Sequence, residues 1–192
     1  MNLENKKAPV IWLTGMSGSG KTTHSNYLDS YFKKHGYSVK VLDGDAIRQN
    51  DNKQLGFSYK DVQTNNLRIA SLCIEYRNEC DIIIVPVISP SDKIRKEVRK
   101  LLSPMFHLIF LEANIESLRS RDTKGLYAAA DRGEITDLIG YSKCNPYEIP
   151  TDAEIVINTG AGSTVEESRK KLSSYINRVI LTKLRAIKKQ DS

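Results

Sequence analysis

The chain lacks what a membrane or secreted protein would need. None of its 192 residues lies in an uncharged apolar run approaching the ~18–20 residues of a membrane span. Met1 to Pro9 is polar and lysine-bearing with no apolar stretch behind it, so no secretory signal is expected. Cysteine is scarce: Cys73, Cys80 and Cys144 form no C-x-x-C pair, and their odd number leaves a thiol over. No disulfide framework is expected, and the setting reads as reducing and cytoplasmic. His24, His35 and His107 show no ligand spacing, so a zinc site is not expected. No repeat, low-complexity tract or linker divides the sequence. Its length suits a single domain over 1–192, with disordered arms at 1–8 and 188–192.

Acidic residues are the minority, 23 against 29 lysines and arginines, for a formal net charge of +6. A nucleic-acid binder would gather that excess on one face among aromatics. An enzyme acting on polyanionic nucleotides gains from the same field, which draws substrate in. Here the excess lies in residues 93–100, 169–171 and 183–189, on expected solvent faces of helices. Small nucleotides are therefore the expected partners, with no nucleic acid and no membrane; a homodimer stays open.

Against these absences stands one strong signal. Gly15-Met16-Ser17-Gly18-Ser19-Gly20-Lys21-Thr22-Thr23 fits the phosphate-loop pattern G-x-x-x-x-G-K-[ST]. The apolar run Val10-Ile11-Trp12-Leu13-Thr14 precedes it, and a helical pattern through Tyr27, Leu28, Tyr31 and Phe32 follows as far as Gly36. Glycines let successive N–H groups turn onto a β-phosphate, and the helix N-terminus adds its positive end. Lys21 is placed to reach the β- and γ-phosphates and the Thr22 hydroxyl to ligate Mg²⁺. The pattern implies a nucleoside triphosphate with magnesium.

Strand candidates recur at 10–14, 38–42, 81–86, 107–111 and 154–157, several as near-continuous apolar runs. Ser58 opens a helix reaching about Glu79. Ser91 opens another carrying Ile94, Val98, Leu101 and Leu102 on one side, stopped by Pro104. A last helix spans about 164–187, with Val165, Leu172, Ile176, Val179 and Ile180 on its docking face. Alternation of this kind, around the phosphate loop, predicts an α/β fold: a three-layer architecture with a mainly parallel central sheet. Residues 122–150 break the pattern with Gly125, Gly133, Gly140, Pro146 and Pro150. A connection that long between two strands reads as a lid.

The second strand runs into Leu42-Asp43-Gly44-Asp45, with Arg48 beyond. Strand carboxyl ends border the ligand crevice in a parallel sheet, which sets two carboxylates and an arginine beside the phosphate loop. Alone, D-G-D would be a capped turn.

Together these residues resemble the adenylyl-sulfate kinase family. The resemblance covers about Val10 to Lys171. It rests on the phosphate loop with Ile11-Trp12-Leu13-Thr14 before it, on Asp43-Gly44-Asp45 with Arg48, and on Leu55-Gly56-Phe57-Ser58 and Ile88-Ser89-Pro90. Further matches are Arg121-Asp122-Thr123-Lys124-Gly125-Leu126-Tyr127, Gly133-Glu134-Ile135 and Pro146-Tyr147-Glu148. It implies Mg-ATP-dependent phosphorylation of the ribose 3′-hydroxyl of adenosine 5′-phosphosulfate (APS), a step of sulfate activation. By that resemblance Asp45 is the base and Asp43 organises Mg²⁺ together with Thr22. Gly15, Ser17, Gly18, Ser19, Gly20, Lys21, Thr22 and Thr23 hold the donor phosphates, and Arg121 lies near the ATP base. Arg48 and Asn65 hold the acceptor, Phe57 stacks on its base, and Ile88 and Ser89 line its pocket. Lys124 bridges the two substrates' phosphates from the lid.

The chain also departs from the family. Val62 stands where an arginine is expected to meet the acceptor's anionic end, and Lys60 is the nearby substitute. Leu138 replaces a second stacking aromatic, whose place Tyr141 could take. Valine cannot supply a guanidinium's bidentate pairing. A 3′-hydroxyl kinase of another activated nucleotide, such as a cytidine diphosphoramidate, is thus the alternative. A P-loop switch is a third reading, but it would have no use for Asp45, Arg48, Phe57 and Asn65.

Overall fold

A computed structural model describes residues 8–49 and 55–190; the expectations for Met1–Lys7 and for Asp191 and Ser192 lie outside them. Five strands form one parallel sheet: β1 (Val10–Thr14), β2 (Val39–Val41), β3 (Ile82–Pro86), β4 (Phe106–Glu112) and β5 (Ile155–Asn158), in the order β2-β3-β1-β4-β5. β1 is central, with Ile11 opposite Ile84 on one side and His107 on the other.

Every residue of β1 and β3 is buried, as strands covered on both faces must be. The period-2 alternation of β1 shares it between two cores. Val10 and Trp12 face the layer containing α3 (Tyr59–Tyr76) and α4 (Asp92–Leu102), against Ile69, Ala70, Ile94 and Val98. Ile11 and Leu13 face α1 (Lys21–Lys34) and the C-terminal helix, against Leu28, Phe32, Leu172 and Ile176.

Local chemistry sets the helix ends. Ser58 Oγ accepts from Asp61 N at 3.2 Å to start α3, which ends at Tyr76, three residues short of the expected Glu79. Thr164 and Glu167 form a reciprocal capping box. The last helix is α7 (Val165–Tyr175), a π-helical turn Ile176–Leu181, and α8 (Thr182–Gln190). Its backbone therefore stays helical where fraying was expected at Lys188 to Gln190. Ala8, also expected in a disordered arm, is buried and donates from its N–H to Arg77 O.

Three expectations about faces are corrected. Leu101 is 47% exposed, because the buried stripe of α4 runs through Ile94, Arg95, Val98 and Leu102 and leaves it outside. Val165 is 50% exposed, one residue into α7, before that helix meets the sheet. Arg95, inside the basic run at 93–100, is 1% exposed. Three short helices carried too little periodicity to be read from sequence: α2 (Gly44–Gln49), α5 (Ile115–Arg121) and α6 (Leu126–Asp131).

Candidate active site

The phosphate loop leaves the carboxyl end of β1 and closes on α1. Gly15 is required by close approach: a Cβ there would lie 2.6 Å from both Leu111 O and Ser19 Oγ, at φ +153°. Lys21, the first residue of α1, folds back and donates to Gly15 O and Met16 O, each at 2.9 Å. Burial pulls its pKa down to about 8, with Lys124 adding to the fall and Asp45 and Asp43 opposing it.

Asp43 and Asp45 flank the tip of β2. Asp43 Oδ1 accepts from Asp45 N at 2.9 Å and Ala46 N at 3.2 Å, so one oxygen caps α2 and the other is left for a ligand. The glycine between them fits because a Cβ at Gly44 would come within 2.6 Å of Val87 Cγ2. The turn packs against Val87, just beyond the end of β3.

Asp45 Oδ2 meets Lys124 Nζ at 2.7 Å, and both side chains are more than half exposed. Burial works upward on the Asp45 carboxyl. The Lys124 hydrogen bond and charge, with Lys21 and Arg48, outweigh it and hold the pKa below the ordinary carboxylate value. Lys124 sits between α5 and α6, in the first part of the suspected lid.

A cavity of about 540 Å³ gathers the phosphate loop from Ser17 to Thr23 with Asp43, Asp45, Ile88, Arg121 and Lys124. Arg121 is oriented by its Nε–H donating to Ser117 O at 3.0 Å. Thr22 and Asp43 line this same cavity, and their oxygens are hard donors suited to magnesium, which takes one or two protein oxygens alongside phosphates and water.

A second cavity of about 260 Å³ is lined by Phe57, Val62, Pro90, Ser91 and Ile94 from one side and by Asp137, Asn145 and Pro146 from the other. Phe57 is 49% exposed. The Arg48 guanidinium lies 4.6 Å from its ring centre and donates to Gly56 O. Asn65 is buried behind the Asp43–Asp45 turn and donates to Gly44 O at 3.4 Å; its Oδ1 has no hydrogen-bond partner among the described residues.

Ser89 and Leu138, like Gly15, Arg48 and Asn65, line neither cavity. Ser89 is fully buried, donating from its backbone to Thr14 Oγ1 and accepting at its carbonyl from Arg95. Leu138 packs with Leu118 and Tyr127 in a small core that Met16 of the phosphate loop also joins. An aliphatic side chain fits there, and Tyr141 packs on the same core with its ring edge-on to Tyr127.

Sequence reading missed the loop after β5. Thr159, Gly160, Ala161, Gly162 and Ser163 complete the large cavity, and Thr159 Oγ1 donates to Ser19 O at 3.1 Å. Their position beyond a strand's carboxyl end was the available signal. Tyr127 carries no local sign of a role, yet its hydroxyl donates to Ser17 O at 2.8 Å and so ties the suspected lid to the phosphate loop.

The adenylylsulphate kinase family model matches residues 7–158. The chain belongs to that family. The adenylyl-sulfate kinase of Bacillus pumilus is 40% identical to it over 173 residues, 90% of this chain and 86% of that one. That of Rippkaea orientalis is 41% identical over 163 residues, 85% and 88% of the two. The APS kinase of Mycobacterium tuberculosis, solved with AMPPNP and APS, superposes with a TM-score of 0.79 at 28% identity over 89% of this chain and 98% of that one. The family's P-loop kinase fold is thus the fold described above. Among the described residues no helix is long and apolar enough to cross a membrane.

Proposed function

We propose that this adenylylsulphate kinase family member transfers the γ-phosphoryl group of Mg-ATP to the ribose 3′-hydroxyl of adenosine 5′-phosphosulfate. The product is 3′-phosphoadenylyl sulfate. The observation that carries the reading is the meeting of Asp45 and Lys124 at the cavity lined by the phosphate loop, in a chain about 40% identical to adenylyl-sulfate kinases. The comparisons give no support to a cytidine acceptor.

Phosphoryl transfer asks the protein for position and charge more than covalent chemistry. Backbone N–H groups of the loop from Gly15 to Gly20, with Ser17, Ser19 and Thr23, cradle the donor phosphates, and Lys21 reaches the β- and γ-phosphates. Thr22 and the free oxygen of Asp43 would hold Mg²⁺, which offsets charge on the phosphates when bound. Arg121 faces the ATP base. Asp45 accepts the 3′-hydroxyl proton while the hydroxyl oxygen attacks the γ-phosphorus and the bond to the β-phosphate oxygen breaks, releasing ADP. Lys124 must leave Asp45 for the phosphates as this happens, a short move for an exposed side chain. Arg48, Phe57, Asn65 and the loop of Ile88 and Ser89 form the acceptor side, with Arg48 turning off the Phe57 ring so that a base can stack there.

Residues from about 122 to 150 serve as the lid of a single kinase domain. A reducing, cytoplasmic setting follows from the cysteine count, and sedimentation equilibrium separates monomer from homodimer.

The test is ADP release from Mg-ATP with adenosine 5′-phosphosulfate, cytidine nucleotides and no acceptor in parallel. Release that depends on adenosine 5′-phosphosulfate supports the reading; equal release in all arms overturns it.

A further inference from the structure

Beside the site, four residues close a ring of contacts that joins three separate segments. Thr14, the residue before the phosphate loop, shares a 2.9 Å hydrogen bond between its hydroxyl and that of Tyr147. Its Oγ1 also accepts from Ser89 N at 3.4 Å. The Ser89 carbonyl accepts from Arg95 Nη1 at 2.7 Å, and the Arg95 guanidinium lies 5.8 Å from the Tyr147 ring centre. Thr14 and Ser89 are fully buried, and Arg95 is 1% exposed.

Stability alone does not account for Arg95. Its counter-charge is Asp92 at 3.6 Å, and its Nε and Nη2 find no hydrogen-bond acceptor among the described residues. A guanidinium buried with so little pairing costs more than an apolar side chain of similar size. What it secures is the Ser89 carbonyl, one residue after Ile88 on the cavity wall. Tyr147 is fixed from its other side by stacking on Phe110 at 6.0 Å, and Glu148 N donates to Pro90 O at 2.8 Å.

We propose that Arg95 is a positioning residue for the acceptor. Through Ser89 and Tyr147 it sets the loop after β3 against the start of the phosphate loop, and it makes Tyr147–Glu148 the fixed hinge of the lid. The lid then moves only upstream, over 122–145. The kinetic part rests on the function proposed above; the hinge does not.

Arg95→Met, Arg95→Lys, Tyr147→Phe and the Arg95→Met/Tyr147→Phe double variant test it. Arg95→Met should raise the acceptor KM about tenfold to a hundredfold, as small misplacement of a substrate-contacting loop does, while leaving ATP-analogue affinity unchanged. Arg95→Lys should restore part of the loss. Tyr147→Phe should change KM in the same sense by less, and the double variant should fall short of the product of the singles, since both act in one network. Amide exchange at 88–91 and 147–149 should quicken in each variant.

An unchanged acceptor KM together with unchanged exchange overturns the proposal. So does a loss shared equally by ATP and acceptor that tracks a lowered Tm. If Arg95→Met does not fold, Tyr147→Phe and Arg95→Lys decide it by the same readouts. If the wild-type chain does not phosphorylate adenosine 5′-phosphosulfate, the function fails, and exchange alone decides the hinge.

Discussion

Lys124 Nζ stands 2.7 Å from Asp45 Oδ2, so a lysine between α5 and α6 neutralises the carboxylate that follows β2. The pair explains how Asp45 stays ionised despite the burial that works against it. A base must be deprotonated to act, and a lowered pKa extends activity toward acid. Lys124→Met removes the chief downward influence and leaves burial in place. The acid limb of kcat/KM against pH should therefore move to higher pH in the variant, besides any loss of rate. A limb that stays where it was would mean another group sets it.

Asp45→Asn keeps the shape of the side chain and removes its proton affinity. A general base of this kind contributes roughly 10²–10⁴ in rate, and kcat should fall by that order with ATP affinity nearly preserved. Collapse of ATP affinity with normal turnover would make Asp45 a structural or metal-holding residue.

Lys21 carries a second pH dependence. Burial holds its pKa near 8 before phosphate arrives, and a bound phosphate favours the charged form. Mg-ATP affinity should be level below that pH and weaken above it by about tenfold per unit, with a proton taken up on binding. Calorimetry in two buffers of different ionisation heat measures the proton directly. Uptake of none above pH 8 would place Lys21 outside the phosphate site. The sign for stability is opposite to that of an ordinary paired lysine. With a folded pKa near 8 against 10.5 unfolded, the lysine's contribution makes the ligand-free protein more stable as pH rises between those values.

Residues 122–145 should gain amide protection when ADP and acceptor are both present, because Lys124 must change partners as the site fills. Between Pro146 and Pro150, the Glu148 amide should be protected already, through its hydrogen bond to Pro90 O. Gains spread evenly across 122–150 would contradict a fixed hinge, and no gain anywhere would contradict a lid.

The strands and the phosphate loop were legible because their signals are local. Val10 to Thr14 is apolar at every position but the last, and the glycines after it have one steric use. Asp43, Asp45 and Lys124 could be named from a motif, but their joining at one cavity depends on positions 79 apart in sequence, Asp45 and Lys124, being folded together. The packing of Leu138 was not legible because its neighbours Leu118 and Tyr127 are supplied by tertiary folding. Arg95 was read as one more surface charge of a basic run; helical spacing puts it on the buried side of α4, and the chain gives no local sign of the Ser89 carbonyl waiting there.

The central claim is the acceptor and the atom phosphorylated on it. Incubating the chain with Mg-ATP and adenosine 5′-phosphosulfate and locating the new phosphate by phosphorus NMR tests it most directly. The account predicts a phosphomonoester on the ribose 3′-oxygen, formed one-for-one with ADP and lost in Asp45→Asn. Phosphate appearing at another position, or ADP formed with only inorganic phosphate beside it, would contradict it.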